Sequence, residues 1–200
     1  MKIDMTDLLN SITENLKRID YIKPEEIPNI DLYMDQVTTF MDEHLAGTKR
    51  RDEDKILTKT MINNYSKNNL LPPSVKKKYS KEHVLLLIFI YYFKSILSIK
   101  DIETVLAPLR DKYFSDEAAL SLSELYTKVC KLEKSRIKPL SESVQEAYES
   151  SFSAFSNIED DADQKELRLF AFICSLSFDV YLKKVMIEKI IDELSAQKED

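Results

Sequence analysis

The side chains best suited to chemistry in this sequence lie between residues 58 and 81. This segment, TKTMINNYSKNNLLPPSVKKKYSK, contains six lysines and no acidic residue. Lysine ammonium groups neutralise phosphates, and asparagine and threonine side chains hydrogen-bond to base edges or phosphates. The residue types therefore predict a contact with nucleic acid. The alternative interpretation is a lysine-rich loop that is simply solvated.

The distribution of charge favours the nucleic-acid interpretation. The whole chain has a formal net charge of −6, yet residues 49–100 hold 12 Lys or Arg residues against 4 acidic residues. The segments on both sides are acidic: residues 1–48 hold 4 basic against 10 acidic residues, and residues 101–200 hold 13 against 21. A focused positive region attracts polyanions even when the protein as a whole is acidic. We therefore expect double-stranded DNA to bind this region.

Individual residues of the segment can be given roles on a duplex. The first turns of a recognition helix lie nearest the base edges, and Thr58 to Asn63 occupy that position here. The three lysines at 76–78 would neutralise phosphates, and Tyr79 would pack its ring beneath them and direct its hydroxyl to a phosphate. Asn63 has the alternative role of a solvated helix residue, and Tyr65 that of a core residue. The candidate contact set is Thr58, Lys59, Thr60, Asn63, Tyr65, Lys67, Lys76, Lys77, Lys78 and Tyr79.

The elements that must position these residues are predicted to be helices. The sequence has a single glycine, Gly47, and glycine supplies the positive φ angles that phosphate loops, Rossmann turns and tight β-hairpins require. Apolar residues recur at three- and four-residue spacing along most of the chain. The predicted fold class is therefore all-α, with one small β-ribbon near residues 72–79.

Capping and stop signals set the expected helix boundaries. Thr58 or Thr60 should cap the short helix before the ribbon, and Asn68-Asn69 should end it. Ser80 should cap the next helix, and Ser98 with Asp101 should form a capping box. Pro139 should kink or split a later helix. The predicted helices span about 5–19 after an Asp4 N-cap, 31–45, 58–67, 81–97, 98 to near Pro108, and 164–195. A further long helical pattern starts at about Ser115 and carries its apolar residues between 122 and 147, and a connector follows at 149–163.

Other kinds of site find little support in the sequence. The two histidines, His44 and His83, are predicted to be surface or cap residues. Cys130 and Cys174, which lack a CxxC spacing, are predicted to pack as small apolar residues. Neither a metal-ligand cluster nor a set of nucleophile, base and oxyanion donors can be assembled. We therefore expect a non-enzymatic protein without a cofactor.

The N-terminal and apolar segments predict a cytoplasmic location without a membrane anchor. Acidic residues interrupt the N-terminal segment, so it lacks the apolar core of a signal peptide. The longest apolar stretch, residues 167–182, contains Arg168 and Asp179 and is too short to span a bilayer.

The order of elements resembles the MerR-type winged helix-turn-helix. Members of that family read R-Y-Y-E-x-x-G-L-L-P, then a wing ending in Y-R-x-Y, a leucine-rich helix, and G-x-S-L-x-E-I-x-x-L-L. The corresponding pieces here are N-N-Y-S-K-N-N-L-L-P at 63–72, K-K-K-Y at 76–79 and I-L-S-I-K-D-I-E-T-V-L at 96–106. The arginine and first tyrosine of the family motif are Asn63 and Asn64 here. The resemblance covers residues 58–107, and the whole chain also resembles an uncharacterised bacterial family, domain of unknown function 1836.

This resemblance implies a DNA-binding transcriptional regulator that acts as a homodimer. It divides the chain into an N-terminal helix at 1–26, a winged helix-turn-helix domain at 27–110, and a helical dimerisation or signal-receiving region at 111–200. The segments 115–150 and 164–195 are candidates both for pairing with a second copy and for an intramolecular bundle. No small-molecule effector is indicated. The alternative is a non-enzymatic helical interaction module whose basic patch no longer binds DNA.

Overall fold

The computed structural model describes residues 7, 9–11, 14, 22–114 and 120–197. The predicted N-terminal helix at 5–19 and its Asp4 cap lie mostly outside the described residues. In the described part, helices predominate and a two-stranded sheet is present. The elements are β1 (Leu32–Tyr33), α1 (Met34–Leu45), a 3-10 turn (Ala46–Thr48), α2 (Lys59–Lys67), β2 (Lys78–Tyr79), α3 (Lys81–Phe93), α4 (Ile99–Tyr113), α5 (Leu122–Ala154) and α6 (Asp161–Ala196).

The small sheet differs from the predicted ribbon in its partner strand. Strand β2 pairs antiparallel with β1, so that Leu32 lies opposite Tyr79 and Tyr33 opposite Lys78. A helix starting at Asp31 is therefore wrong, because Leu32 and Tyr33 are extended and α1 begins at Met34. The backbone N–H of Tyr33 donates to Oε1 of Gln36 at 2.8 Å, which caps the helix one turn later than the sequence indicated.

Helix α3 forms the centre of the fold around the sheet. Its residues from His83 to Ile90 are all buried, as expected for a helix that is apolar on every side. It packs against α4 and β2, while α1 packs against α2 and both strands. The helix ends at Phe93 and not near residue 97. The next residue, Lys94, donates from Nζ to the carbonyl of Ile56 at 2.7 Å.

The predicted capping signals at Thr58, Ser80 and Ser98 are confirmed. Oγ1 of Thr58 accepts a hydrogen bond from the Met61 amide at 3.2 Å, and Oγ of Ser98 accepts one from the Asp101 amide at the same distance. The backbone amide of Ser80 donates to Nδ1 of His83 at 3.0 Å. These contacts satisfy amides that would otherwise lack a partner at each helix start.

Two prolines lie inside helices that the sequence predicted to stop or break. Helix α4 continues past Pro108 to Tyr113, and α5 runs without interruption through Pro139. The last turn of α4 is held by Arg110, which hydrogen-bonds to Asp111 at 2.7 Å and to the carbonyl of Asn69. The connector predicted at 149–163 is also too long, because α5 extends to Ala154 and α6 starts at Asp161.

The chain divides into two compact units. One comprises residues 22–129 and 188–200, and the other comprises residues 1–21 and 130–187. In the second unit Leu9, Val144 and Phe172 form a buried cluster, against which Ala147, Tyr148 and Leu176 pack. Among the described helices, none combines the length and the apolar character needed to cross a membrane.

Candidate nucleic-acid interface

Helix α2 buries one side and exposes the other. Ile62 and Tyr65 are buried, and burial raises the pKa of the Tyr65 hydroxyl above its usual range. The opposite side carries no carboxylate within α2 and lies on an arc of about 140° at 100° per residue. Its exposed residues are Lys59, Thr60, Asn63, Asn64 and Lys67. We call this set the polar face of α2.

A Schellman motif ends helix α2 and fixes the direction of the chain that follows. Asn69 adopts the left-handed conformation, with φ of 56°. The Leu70 amide donates to the Tyr65 carbonyl at 2.9 Å, and the Asn69 amide donates to the Ser66 carbonyl at 3.3 Å. Arg110 of α4 donates to the Asn69 carbonyl. The predicted stop at Asn68-Asn69 is therefore confirmed, and α4 anchors it.

Lys76 and Lys77 occupy a tight hairpin turn. The low glycine content had predicted that such turns would be absent. Val75 and Lys78 exchange two backbone hydrogen bonds of 3.1 and 2.9 Å. Between them, Lys76 and Lys77 have φ values of 51° and 64°. Two positive φ angles in a two-residue loop are the requirement of a type I′ turn, for which Asn-Gly is preferred. We call residues 75–78 the lysine turn.

The lysine turn and the start of α2 both reach the beginning of α1. Nζ of Lys59 forms an ion pair with Asp35 in the first turn of α1. Nζ of Lys78 lies 5.3 Å from the centroid of the Tyr33 ring, two residues before Asp35. Because Tyr33 and Asp35 are two residues apart, both ammonium groups lie near the start of α1. The polar face of α2 and the lysine turn therefore each have one lysine at this helix start.

The ten predicted contact residues fall into three groups. Thr60, Asn63, Lys67, Lys76 and Lys77 are exposed. Among the described residues, Lys67, Lys76 and Lys77 have no carboxylate within ion-pair distance. Three further residues already have a contact within the protein. Thr58 caps α2, Lys59 pairs with Asp35, and Lys78 lies over the Tyr33 ring.

Tyr65 and Tyr79 form the third group, and their placement in the contact set needs correction. They are 6% and 4% exposed, which leaves almost no surface for a ligand. The ring of Tyr79 packs beneath the ribbon, as the sequence suggested. It meets His83 edge to face at a centroid distance of 5.5 Å. Both tyrosines are therefore core residues that support the neighbouring polar surface.

His83 lies between the rings of Tyr79 on β2 and Phe114 after α4, and meets each of them edge to face. It is buried, so its predicted surface position is wrong, although its capping role is confirmed. Burial lowers the pKa of the imidazole, and this outweighs the Pro73 and Pro72 carbonyls and the Glu82 and Asp31 carboxylates, which favour the protonated ring. Nε2 makes no hydrogen bond of good geometry to the described residues. The neutral ring is therefore the form that fits this site.

Sequence reasoning missed three residues that shape the surface. Asp35 opposes Lys59, Tyr33 stacks under Lys78, and Arg110 holds the exit of α2. Each acts over a gap of at least 24 residues along the chain, and helical periodicity carries no signal for such a contact. One feature of the sequence pointed to the Lys59 contact. Asp35 lies in the first turn of α1, the helix that precedes the basic segment.

The other chemistry considered has no assembled site in the described residues. No group of three or more His, Cys, Asp or Glu side chains there could hold a metal ion. Cys130 and Cys174 are half-buried and form no disulfide bond with a described residue.

Comparison with known proteins identifies a family. No curated protein and no solved structure matches the chain. Residues 22–129 match a family described as Domain of unknown function (DUF1836), a narrower span than the whole-chain resemblance expected from the sequence. The span agrees with a contact in the fold, because the Tyr126 hydroxyl donates to the Ile22 carbonyl at 2.7 Å and joins the two ends of the matched segment. The chain belongs to the DUF1836 family.

Proposed function

We propose that this chain is a DNA-binding transcriptional regulator of MerR-like winged helix-turn-helix type. In this proposal α2 is the recognition helix in the major groove, and the lysine turn is the wing beside it. One observation carries the proposal: a helix without carboxylates of its own and a turn whose exposed lysines have no acidic partner among the described residues both place a lysine at the start of α1. The order of a helix pair, a ribbon and two capped helices supports the same assignment.

Each exposed residue has a role that its chemistry suits. Thr60 and Asn63 lie toward the start of α2 and would read base edges, with Asn63 able to make two hydrogen bonds to adenine. Lys76 and Lys77 would contact the backbone phosphates beside the groove. Lys67, on the last turn of α2, would add a further phosphate contact. The proposal assigns no catalytic residue and no cofactor.

The conformation of the lysine turn supports a functional role for its charges. A residue with a Cβ atom in the left-handed region costs about 1–2 kcal/mol, and glycine or asparagine would avoid most of that cost. Strained backbone persists at functional sites where the local geometry is needed. Lysines at both positive-φ positions place two ammonium groups at the most projecting point of the ribbon. Phosphate binding gives a reason for lysine there.

A two-fold dimer is the geometry that such a module uses, because two recognition helices then meet successive major-groove faces. The proposal therefore includes a homodimer on double-stranded DNA, in the cytoplasm. No effector is assigned.

The second candidate is a helical interaction module that has lost DNA binding and uses its basic patch on an acidic protein. The ion pair between Lys59 and Asp35 favours this candidate, because it neutralises a cation at the start of the proposed recognition helix.

Salt-dependent binding to duplex DNA tests the proposal. We expect the affinity for a pool of random and genomic duplexes, measured by fluorescence anisotropy, to fall steeply as the salt concentration rises. Each phosphate contact contributes a slope of about −0.9 in a plot of log affinity against log salt. The double variant Lys76→Ala/Lys77→Ala should therefore flatten the slope by about 1.8.

The variant Lys138→Ala/Lys165→Ala is the matched control, since it removes two exposed lysines from the other unit and changes the net charge equally. Its slope should stay within about 0.3 of the wild-type value. Absence of binding at low salt would refute the proposal and favour the interaction module. Equal flattening by both double variants would show that bulk charge, and not the lysine turn, drives binding.

A further inference from the structure

Helix α6 exposes an unusually large apolar surface. Eleven large apolar residues on this helix are between 38% and 66% exposed, whereas α5 has three such residues. At 100° per residue these eleven residues lie around the whole circumference of the helix. Five of them lie within an arc of about 120° in the unit that holds residues 130–187. We call these five the apolar face of α6: Phe170, Phe178, Tyr181, Leu182 and Val185.

Few charges interrupt this surface. Between residues 169 and 187 the charged side chains are Asp179, Lys183 and Lys184. Two of them pair with each other, because Nζ of Lys183 lies 2.5 Å from Oδ2 of Asp179 one turn away. A helix that is apolar around most of its circumference is normally buried in the functional protein. An exposed patch of this size marks an interaction site.

A groove beside the apolar face offers a place for a partner helix. It has a volume of about 880 Å³ and lies within the unit that holds residues 130–187. Its lining includes Leu140 and Val144 from α5 and Phe170, Phe178 and Leu182 from α6. Because Phe170, Phe178 and Leu182 form one wall of the groove, the α6 helix of a second copy that lies in the groove would contact the same residues as those it presents. A surface that contacts its own copy in this way is what an isologous two-fold contact requires.

We propose that a second copy of this chain covers the apolar face of α6, with the α6 helix of each copy seated against the α5–α6 groove of the other. The contact supplies the dimer on which the proposed function rests, and it stands on observations that do not involve DNA. It also decides between the two segments that the sequence left open for pairing. The apolar residues that remain exposed are concentrated on α6 and not on α5.

The available area is enough for a stable dimer. Phe170, Phe178 and Tyr181 are 64%, 66% and 60% exposed. Since a buried aromatic side chain covers about 150–250 Å², these three rings alone would contribute roughly 300–450 Å². A standard interface buries about 800 Å² per partner. Leu182 and Val185 of the face, together with the α5 residues that line the groove, would supply the remainder.

Sedimentation equilibrium on the full chain tests the contact. We expect the wild type at micromolar concentration to have twice the chain mass of 23.3 kDa. Phe178→Glu should raise the dissociation constant at least about 30-fold, because it buries a charge in an apolar contact. Leu132→Glu is the control, since Leu132 on α5 is also 66% exposed and does not line the groove. It should leave the dissociation constant unchanged.

A tryptophan reporter gives a second measurement with a milder substitution. The chain contains no tryptophan, so Phe178→Trp introduces a unique fluorophore. Its emission should move to shorter wavelength as the protein concentration rises through the dimerisation range, whereas that of Leu132→Trp should not. A monomeric wild type at 100 micromolar would overturn the inference and point to a different protein as the occupant. Equal dissociation by Phe178→Glu and Leu132→Glu would overturn it as well.

The outcome is separable from that of the proposed function. Lys76→Ala/Lys77→Ala should lose DNA affinity and remain dimeric, because the lysine turn lies outside the α6 contact. Phe178→Glu should become monomeric and keep the circular dichroism spectrum of the wild type. A dimer without DNA binding would refute the regulator and leave the α6 contact standing. DNA binding by a monomer would refute the α6 contact and the proposed dimer, and would leave the proposed DNA-binding surface standing.

Discussion

The two compact units of this protein differ in how far they bury their apolar side chains. In the unit that contains residues 22–129, α3 is buried from His83 to Ile90, and the exposed side of α2 is polar. In the unit that contains residues 130–187, α6 leaves rings such as Phe178 and Tyr181 more than half exposed. The first unit encloses its own core, while the second has apolar surface left over. This contrast is the basis of the proposed contact between α6 and a second copy.

Truncation of one apolar side chain in each unit should give the largest difference between the units in the free energy of unfolding. Leu86→Ala in α3 removes a fully buried side chain and should lower the free energy of unfolding by about 2–5 kcal/mol. Leu182→Ala in α6 removes a side chain that is 55% exposed and should cost less than about 0.5 kcal/mol in the monomer. Urea unfolding at low protein concentration, followed by circular dichroism, measures both. Equal costs would show that α6 is already packed within a single chain.

Relief of backbone strain at the lysine turn should stabilise the protein and weaken DNA binding. Lys76→Asn/Lys77→Gly installs the residues preferred in a type I′ turn, and we expect a gain of about 1 kcal/mol in the free energy of unfolding. The same variant loses two cations, so its affinity for duplex DNA should fall. Lys76→Ala/Lys77→Ala is the control: it loses the same charge without relieving the positive φ angles. A gain in stability together with unchanged DNA affinity would show that phosphate binding does not explain the lysines at positions 76 and 77.

The stability of the wild type should depend on pH through His83. Burial lowers the pKa of this imidazole in the folded protein, so the unfolded chain takes up the proton first as the pH falls. Stability should therefore be lost from the unfolded pKa of about 6.5 downward, until the lowered folded pKa is passed. His83→Gln keeps an acceptor for the Ser80 amide and should remove this part of the pH dependence.

Urea unfolding between pH 5 and pH 7.5 checks this expectation, with His44→Gln as the control because His44 is the other histidine. An unchanged pH profile in His83→Gln would mean that the buried ring does not gain a proton on unfolding.

Release of Lys59 should produce the smallest change in stability and an informative change in binding. Asp35→Asn breaks an exposed ion pair, so the free energy of unfolding should change by less than about 0.5 kcal/mol. DNA affinity should increase and the salt slope should steepen by up to about 0.9, because one more cation is available. Asp161→Asn, which breaks the Lys165 pair in the other unit, should change neither. Weaker binding by Asp35→Asn would place the duplex away from the start of α2.

Much of the local structure around the candidate site could be predicted from the sequence. Thr58, Ser80 and Ser98 cap helices as expected, and Asn69 turns the chain in the left-handed conformation. Such signals are readable because a cap and its amide lie within three residues of each other. The continuous burial of α3 could also be predicted, because no side of that helix is polar.

The errors concern contacts between distant segments. Strand Leu32–Tyr33 is separated from its partner Lys78–Tyr79 by about 45 residues. The strand was not predicted because the apolar residues of segment 31–45 have helical spacing. Pro108 was expected to end α4, but the bonds of Arg110 to Asp111 and Asn69 hold one more turn. Lysines in a type I′ turn were not expected either, because that turn normally selects glycine or asparagine.

The sequence by itself determined the helical class, the caps and the existence of one basic segment in an acidic chain, because each depends on residues that are near neighbours. Tertiary structure alone decided which of those basic residues remain available. It paired Lys59 with Asp35, covered Tyr65 and Tyr79, and left Lys76 and Lys77 exposed at the tip of a turn. The physical reason is that burial and ion pairing depend on what the folded chain brings alongside each side chain, and that information is distributed over segments far apart in sequence.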